Sequence, residues 1–253
     1  MVLTVFKGTR KGHVGISNIQ PHNLPEIIKN ALDIATYTEE DPANGLLDKQ
    51  YLLHELPPEL GLYNLHNDSN HNLIAQAKEL EQLARDYSSL ITASDGSSLS
   101  LTRYNFVTAN SNGFNRGYQT SRYSKYVSLI GETVTGMQTD YWYCSSRDFR
   151  QLDSNVMVAK YAGKRVLRRL NKGTFSSSAP AVIFESSLAK SIIGSLIGAL
   201  SGGSLYRRLS FLNDSLNTQI LPQWFNVSED TIVFGGLSSF DFVNEGIQVC
   251  ARG

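Results

Sequence analysis

The hydrophobic residues of this chain recur with two different periods, and each period predicts one kind of element. Apolar positions spaced by three or four residues predict four helices. The first begins near Asn23 and continues through Ala35, and the second carries Leu73 to Tyr87 on one face. The other two cover about Asn155 to Leu170 and Glu185 to Leu200. Helices are thus predicted on both sides of a long central tract.

That central tract, Ser100 to Ser146, is rich in Thr, Tyr, Val and Phe. Turn residues interrupt it at Asn112-Gly113 and between Gly131 and Gly136, so it predicts three long antiparallel strands in a meander. Two shorter strands, Val2 to Phe6 and His13 to Ile16, predict a hairpin at the start of the chain.

The last third predicts smaller elements. Pro180 to Phe184 is an apolar run that predicts a short buried strand, and short strands with turns are expected from Gly203 to the end. The fold class is therefore α+β, with antiparallel sheets and flanking helices. Loop-like segments at 38–70 and 172–178 divide the chain into three predicted pieces, 1–38, 39–175 and 176–253.

The net charge of the chain argues against binding to nucleic acids or to a membrane surface. The 253 residues carry 23 Lys and Arg against 23 Asp and Glu, so the net charge is zero. A neutral chain lacks the basic footprint of nucleic-acid binding and a polybasic membrane patch. The longest uncharged stretch, Ser191 to Tyr206, is shorter than the ~20 apolar residues of a membrane helix, and no signal peptide is visible. We expect a soluble cytoplasmic protein without nucleic-acid or membrane partners.

The cysteines and histidines predict no metal site in this chain. Cys144 and Cys250 lie far apart, which excludes a disulfide framework and a cysteine-rich zinc site and indicates a reducing compartment. The histidines have no ligand spacing; they are His13, His22, His54, His66 and His71. His54-Glu55 opens a zinc-helix motif, but the prolines at 57 and 58 would stop a helix, so it predicts a loop.

Ser187 and Lys190 match the S-x-x-K spacing of a serine–lysine nucleophile. The chain has no Ser-Asp-Asn or Lys-Thr-Gly sequence to complete such a site, and Ser186 with Ser187 fits the role of a helix cap. An independent peptidase using Ser187 and Lys190 stays open as one alternative. On the same helix, Gly194 and Gly198 predict close packing against another backbone.

One further motif could bind an anion. Ser201 to Ser204 is small and glycine-rich, and Arg207 and Arg208 follow it. The spacing fits neither a P-loop nor a dinucleotide fingerprint, so no nucleotide site is implied. From the residues alone, no catalytic, cofactor-binding or metal-binding residue is assigned.

A long ordered set of segments resembles the TldD/PmbA family of metallopeptidases, in particular its PmbA (TldE) kind of subunit. The resemblance covers essentially the whole chain. The matching segments are Ala31–Ala35, Tyr37-Thr38, Asp41-Pro42, Gly45, Asp48-Lys49, Gly117-Tyr118, Thr120–Arg122, Asp140-Tyr141, Pro180–Phe184, Ile193–Arg207, Ser210–Leu212, Asp214–Leu216, Gln219–Pro222, Gly235–Ser239 and Glu245-Gly246.

The resemblance implies that this chain does not bind zinc itself. In the TldD kind of subunit the corresponding helix carries HExxxH, whose histidines ligate zinc and whose glutamate is the general base. Those positions fall here on Gly194, Ser195 and Ala199. In TldD this helix is followed by Gly-Asp-x-x-Arg. Only the glycine and the arginine of that motif are present here, as Gly203 and Arg207. Zinc is therefore expected in a TldD-like partner.

Two departures from the family accompany the resemblance. The family's Phe-Asp-x-Glu-Gly is present with Val243 in place of Asp. Relative to the family, both outer pieces are incomplete, and the region that supplies TldD with its cysteine ligand lies beyond Cys250, which is not that ligand. Whether this chain is an enzyme in its own right stays open.

The resemblance implies a non-catalytic subunit of a heteromeric zinc peptidase that acts on small, unfolded or modified peptides, as in peptide maturation and antitoxin turnover. Its expected partners are a TldD-like subunit and a peptide substrate. The alternative from the same family name is a regulatory binding module of the gyrase-modulator type. These expectations differ in the partner that the chain should bind.

Overall fold

A computed structural model describes residues 1–55, 58–171, 173–174 and 176–247 of the protein. The chain forms two compact units. Among the described residues, unit 1 comprises 1–55, 58–171 and 230–247, and unit 2 comprises 173–174 and 176–229. The division into three pieces drawn from the sequence stays a prediction.

Unit 1 begins with the predicted hairpin and helix. Their bounds are β1 (Val2–Lys7), β2 (Arg10–Gly15), a 3₁₀ turn (Pro21–Asn23) and α1 (Leu24–Tyr37). The two strands pair antiparallel, and α1 packs on them through Ile27, Ala31 and Ala35. Gly12 of β2 lies so close to the α1 backbone that a Cβ there would overlap the carbonyl of Ala31. The hairpin and helix therefore depend on this glycine.

The predicted meander is confirmed as a three-stranded antiparallel sheet in the order β3-β4-β5. The strands are β3 (Ile91–Ala109), β4 (Asn115–Thr133) and β5 (Gly136–Ser146), so β3 starts nine residues before the predicted tract. β5 pairs with β4 only from Tyr123 onward. The remaining part of β4 pairs with β3 alone, and these two strands extend beyond β5 as a ribbon.

Two helices cover one face of this sheet. They are α2 (Asn70–Arg85) and α3 (Asn155–Leu170), as predicted, and the hydroxyls of Ser69 and Ser154 cap their first turns. The core between sheet and helices consists of Leu80, Ala84, Ile91, Val127, Leu129, Val158, Ala159, Ala162 and Val166. Side chains of β4 alternate between this face and the opposite one, as a half-buried strand requires.

The end of α2 differs slightly from the prediction, because Tyr87 lies beyond the helix. Its ring packs directly on Gly163 of α3, where a Cβ would meet the ring carbons. The long connection from 38 to 69 precedes α2 and contains a 3₁₀ turn at Lys49–Tyr51. The shorter connection before α3 contains a 3₁₀ turn at Phe149–Gln151.

Unit 2 contains α4 (Ser186–Leu200), as predicted, and a short helix α5 (Gly202–Tyr206). α4 buries none of its residues within this structure. The predicted close approach at Gly194 and Gly198 was wrong here, since a Cβ on either would meet no atom within 4 Å. The predicted serine caps were also wrong: Glu185 occupies the cap position and makes no side-chain cap bond.

Two strand predictions were wrong as well. Residues 180–184 are irregular and exposed, with Ile183 at 96% exposure. An apolar run becomes a buried strand only where a neighbouring strand accepts its backbone hydrogen bonds, and no described strand pairs with it. The described residues after Tyr206 form turns and isolated bridges rather than strands. No helix in the described residues has the length and apolar content needed to cross a bilayer.

Candidate functional site

The three positions that the resemblance matches to the zinc motif, Gly194, Ser195 and Ala199, lie on α4 in unit 2. The Ser195 hydroxyl donates a hydrogen bond to the carbonyl oxygen of Ser191, 3.0 Å away, within the same helix. Gly194 and Ala199 carry no donor atom on their side chains. Because zinc requires nitrogen, sulfur or carboxylate ligands, these three residues do not fit a zinc site.

Ser187 and Lys190 lie one turn apart on α4. The Ser187 hydroxyl oxygen is buried and has no hydrogen-bond partner, so it is not bonded to the Lys190 amine. A serine nucleophile needs a base within hydrogen-bond reach. The described geometry therefore does not bring this pair together, and a serine–lysine peptidase is only the alternative that the sequence left open.

The remaining sequence candidates lie apart from one another. The carbonyl oxygen of His54 accepts a hydrogen bond from Arg116 at 3.2 Å in a loop, while Pro57 lies outside the described residues. Arg207 donates to the carbonyl of Gly203 at 3.1 Å, so its guanidinium closes the α5 turn rather than an anion cradle. Cys250 also lies outside the described residues.

Metal-ligating side chains are dispersed through the part of the chain that is described. No group of three or more His, Cys, Asp or Glu residues forms a possible metal site there. Cys144 is half-buried on β5, and burial raises the pKa of its thiol. A raised pKa keeps the thiol protonated and so disfavours metal binding.

A cleft lies in unit 1 where the β3–β4 ribbon extends beyond β5. Val127 and Leu129 of β4 face α2 and α3, whereas Tyr118 lies on the other face of that strand and packs on Phe242. The segment 236–246 therefore crosses the face opposite to the helices and forms the second wall. The larger hollow encloses about 460 Å³ and is lined by Tyr104, Asn105, Phe106, Tyr118, Thr120, Arg147, Leu237, Ser238, Ser239 and Phe240. The adjoining hollow of about 350 Å³ shares Tyr118 and Phe240 and adds Phe242, Val243, Asn244 and Glu245.

Arg147 fastens the segment to the sheet. It follows the last residue of β5 and is 8% exposed. Its guanidinium donates to the carbonyl oxygens of Gly236 (3.2 Å), Leu237 (3.1 Å) and Ser239 (3.0 Å). A fourth bond reaches the Ser121 carbonyl at 3.4 Å. We call this set of bonds the arginine clip.

An aromatic cluster anchors the other end of the segment. Phe242 is 1% exposed, and its ring centroid lies 5.1 Å from that of Tyr118 and 5.2 Å from that of Phe114, both edge to face. Gly246 turns with a φ of +88° directly over Phe114, where a Cβ would lie 2.9 Å from the ring. Val243, the departure from the family motif, lies in this turn and accepts the Gly246 N–H at 2.8 Å.

The cleft has one cationic and one acidic end. Burial and the nearby Arg122 lower the pKa of Arg147. Burial, followed by the charge of Glu59, raises the pKa of Asp241. Burial and then Asp241 raise the pKa of Tyr118, which lies between the two ends. Such a pocket, with aromatic walls and few charges, is suited to an organic ligand that carries a charge of its own.

Sequence reasoning did not select the cleft residues. Tyr104, Phe106 and Arg147 follow an ordinary strand pattern, and the partners of Arg147 lie about ninety residues later. The one available signal was the resemblance, whose segments Gly117–Arg122 and Gly235–Ser239 meet here.

Two family models match this chain. The PmbA/TldA metallopeptidase central domain matches residues 63–170, and the C-terminal domain of the same family matches residues 177–252. The chain belongs to the PmbA/TldD metallopeptidase family. The central-domain match contains the whole β3-β4-β5 sheet with α2 and α3, and the C-terminal match contains the segment that closes the cleft.

Curated relatives agree with this assignment. A metalloprotease PmbA homolog from Haemophilus influenzae is 35% identical over 99% of this chain, and metalloprotease PmbA from Escherichia coli O157:H7 is 34% identical over the same share. In both cases the match covers 55% of the relative. The chain therefore spans about half the length of these relatives.

Solved structures confirm the fold. A protein from Bacteroides thetaiotaomicron described as a modulator of DNA gyrase superimposes with a TM-score of 0.91 at 24% identity, over 99% of this chain and 58% of that one. TldE from Thermococcus kodakarensis gives 0.72 at 17% identity, over 99% and 56%. The mixed helix and antiparallel-sheet class predicted from the sequence is thus confirmed.

Proposed function

We propose that this chain acts as the PmbA (TldE)-type subunit of a two-subunit zinc metallopeptidase, in which a TldD-like partner binds the zinc. The observation that carries the proposal is the residue set on α4 within the family's C-terminal domain. Gly194, Ser195 and Ala199 stand where the zinc-binding kind of subunit has two histidines and a glutamate, and none of them can ligate zinc or act as a general base at neutral pH.

The apolar surface of unit 2 supports a role in assembly. α4 has a single charged residue, Lys190, yet its large side chains remain uncovered within unit 2. Exposed fractions are 55% for Leu188, 47% for Ile192, 52% for Ile197 and 47% for Leu200. Contiguous apolar surface of this kind marks interaction sites in folded proteins. The proposed substrates are small or unfolded peptides, and the larger hollow of the unit 1 cleft, about 460 Å³, has the volume for a short segment of such a peptide.

Assembly is tested by native mass spectrometry of this chain mixed with a TldD-like subunit that carries intact HExxxH. We expect a stable mixed complex, zinc only in the HExxxH subunit, and peptide hydrolysis by the mixture but not by this chain alone. Two separate masses, or zinc-dependent hydrolysis by this chain alone, would overturn the proposal.

A matched pair of variants locates the interface. Ile197→Asp puts a charge on the apolar surface of α4 and should weaken the complex at least tenfold. Val134→Asp makes the same kind of change at a fully exposed turn between β4 and β5 and should leave the complex intact. If both variants assemble like the parent chain, α4 is not the contact surface.

A further inference from the structure

The cationic end of the unit 1 cleft holds a positive charge without a counter-charge. The Arg147 guanidinium is bonded to four carbonyl oxygens, and among the described residues no carboxylate pairs with it. These carbonyl groups accept hydrogen bonds from the Arg147 guanidinium, but they carry no net charge and so do not neutralise its positive charge. A buried uncompensated charge is costly, and an anion placed nearby relieves that cost.

Arg122 adds a second positive charge at the same end. It lies two residues after Thr120 on the same face of β4 and is exposed. Tyr123 pairs with Ser146 at the end of β5, and Arg147 donates to the carbonyl oxygen of Ser121, so Arg122 and Arg147 are neighbours just beyond that pair. The charge of Arg122 also lowers the pKa of Arg147. Within the described residues its guanidinium makes no hydrogen bond or ion pair. Two neighbouring guanidinium groups, one of them exposed, favour an anionic ligand with paired oxygens, such as a carboxylate.

The walls of the larger hollow suit a short peptide. Tyr104, Phe106 and Tyr118 present rings, and the hydroxyls of Thr120, Ser238 and Ser239 and the amide of Asn105 supply donors and acceptors. The volume of about 460 Å³ lies within the range of small-ligand pockets. At the other end Glu245 and the nearby Asp241 repel anions. The cleft is therefore positively charged at one end and negatively charged at the other. This charge difference attracts a carboxylate toward the arginines.

We propose that this cleft binds the carboxylate of a short peptide, with Arg122 and Arg147 at the carboxylate and Tyr118 against the peptide backbone. The anionic nature of the ligand follows from the charges in the cleft, whereas its being a peptide, and the anion therefore a carboxylate, rests on the proposed function. Arg122 contacts the ligand directly, and Arg147 contributes its charge while it holds the 236–239 wall in place.

The test uses the full 253-residue chain and two peptides that differ in one group. Acetyl-Ala-Ala-Ala with a free C-terminal carboxylate is titrated against the same peptide with a C-terminal amide, and binding is followed by NMR shifts and calorimetry. We expect the acid to bind and to shift the signals of Thr120 and Ser238, and the amide to bind at least tenfold more weakly. Equal binding of acid and amide, or binding of neither, overturns the proposal.

A third peptide identifies the source of the carboxylate. Acetyl-Ala-Asp-Ala amide carries its carboxylate on a side chain only. Binding as tight as that of the free acid assigns the site to any peptide carboxylate, whereas weak binding restricts the site to chain ends. Both outcomes keep the arginine end as the carboxylate site.

Variants tie the binding to the residues. Arg122→Gln removes an exposed charge and should weaken acid binding about tenfold without changing binding of the amide. Arg122→Lys should recover part of the loss, since it restores charge without the bidentate geometry. Arg85→Gln, the same charge change at the exposed end of α2, is the control and should leave the affinity unchanged. Unaltered acid binding by Arg122→Gln would contradict the assignment.

These measurements are independent of the proposed assembly. Peptide binding is measured on this chain alone, without the zinc-bearing subunit and without hydrolysis. If the chain forms the mixed complex but binds the peptide acid no better than the amide, only the cleft assignment is refuted. A chain that binds the acid but forms no complex refutes the assembly only.

Discussion

The helices α3 and α4 have nearly the same length but opposite relations to the rest of their units. α3 carries several basic residues and still buries a full stripe, with Val158, Ala162 and Val166 at 0% exposure. α4 is far more apolar and buries nothing, with Ile197 at 52% exposure. An apolar stripe beside a polar face predicts that a helix packs on a single surface. Apolar residues all around a helix predict that it is buried but do not identify the surface that covers it.

The largest expected effect is a loss of stability in the core of unit 1. Leu129→Ala removes a fully buried side chain beneath α2 and α3 and should destabilise unit 1 by roughly 2–5 kcal/mol. Ile197→Ala on α4 should change stability by less than about 0.5 kcal/mol, since little packing is lost. Urea unfolding measures both variants.

The two tryptophans report the two units separately in that experiment. Trp142 is packed against Tyr161 in unit 1, and Trp224 lies in unit 2 at 78% exposure. Trp224→Phe leaves Trp142 as the fluorescent probe of unit 1, in which Leu129→Ala is measured, whereas Ile197→Ala is measured with Trp224 present. Similar losses from Leu129→Ala and Ile197→Ala would mean that α4 is buried in the isolated chain.

The next effect reverses in sign between the two helices. Gly163→Ala in α3 pushes a Cβ into the Tyr87 ring and should cost about 1–3 kcal/mol. Gly198→Ala in α4 meets open space and should stabilise the helix by up to about 1 kcal/mol, because alanine has the higher helix propensity. Thermal unfolding of both variants gives the signs, and destabilisation by Gly198→Ala would indicate a close neighbour at α4.

These helices also show which parts of the fold could be predicted from the sequence. The period of the apolar residues located all four long helices and the meander, because those elements are specified by local pattern. It failed at Pro180–Phe184, where an apolar run has no described strand beside it, and at Gly194 and Gly198, which face open space. Hydrophobicity gives the tendency to be buried, while a partner surface decides whether burial happens.

The cleft could not be predicted from local pattern. Its clip joins Arg147 to carbonyl groups of Gly236 to Ser239, and backbone carbonyls carry no side-chain signature. The turn at Val243 is likewise fixed by Gly246 over Phe114, a contact between distant segments. Only the resemblance, which covered both segments, pointed toward this region.

The smallest predicted effect concerns charge beside the core of unit 1. Burial raises the pKa of Asp241, so the folded state holds this proton more tightly than the unfolded state. The stability that this adds is fully present below the unfolded pKa near 3.8 and is lost as pH rises through the folded pKa. Asp241→Asn should therefore raise the urea midpoint slightly at pH 7, and the gain should vanish in acid.

A gain that persists unchanged below pH 3.8 would contradict this explanation, since the substituted group would then act through packing and not through its charge. Measuring the parent chain and the variant at both pH values, with Trp142 as the probe, separates the two causes.

The arginine clip also sets an order of events during synthesis. At about 5–20 residues per second, the carbonyl groups of 236–239 leave the ribosome roughly 5 to 18 seconds after Arg147. A hairpin such as β3–β4 forms within microseconds, so the sheet is complete long before its cover arrives. During that interval the Arg147 side chain, the Phe106 ring and the Tyr118 ring are open to water. The docking of segment 236–246 closes a loop of about ninety residues. Until it docks, these three side chains are accessible to a chaperone or to a competing peptide.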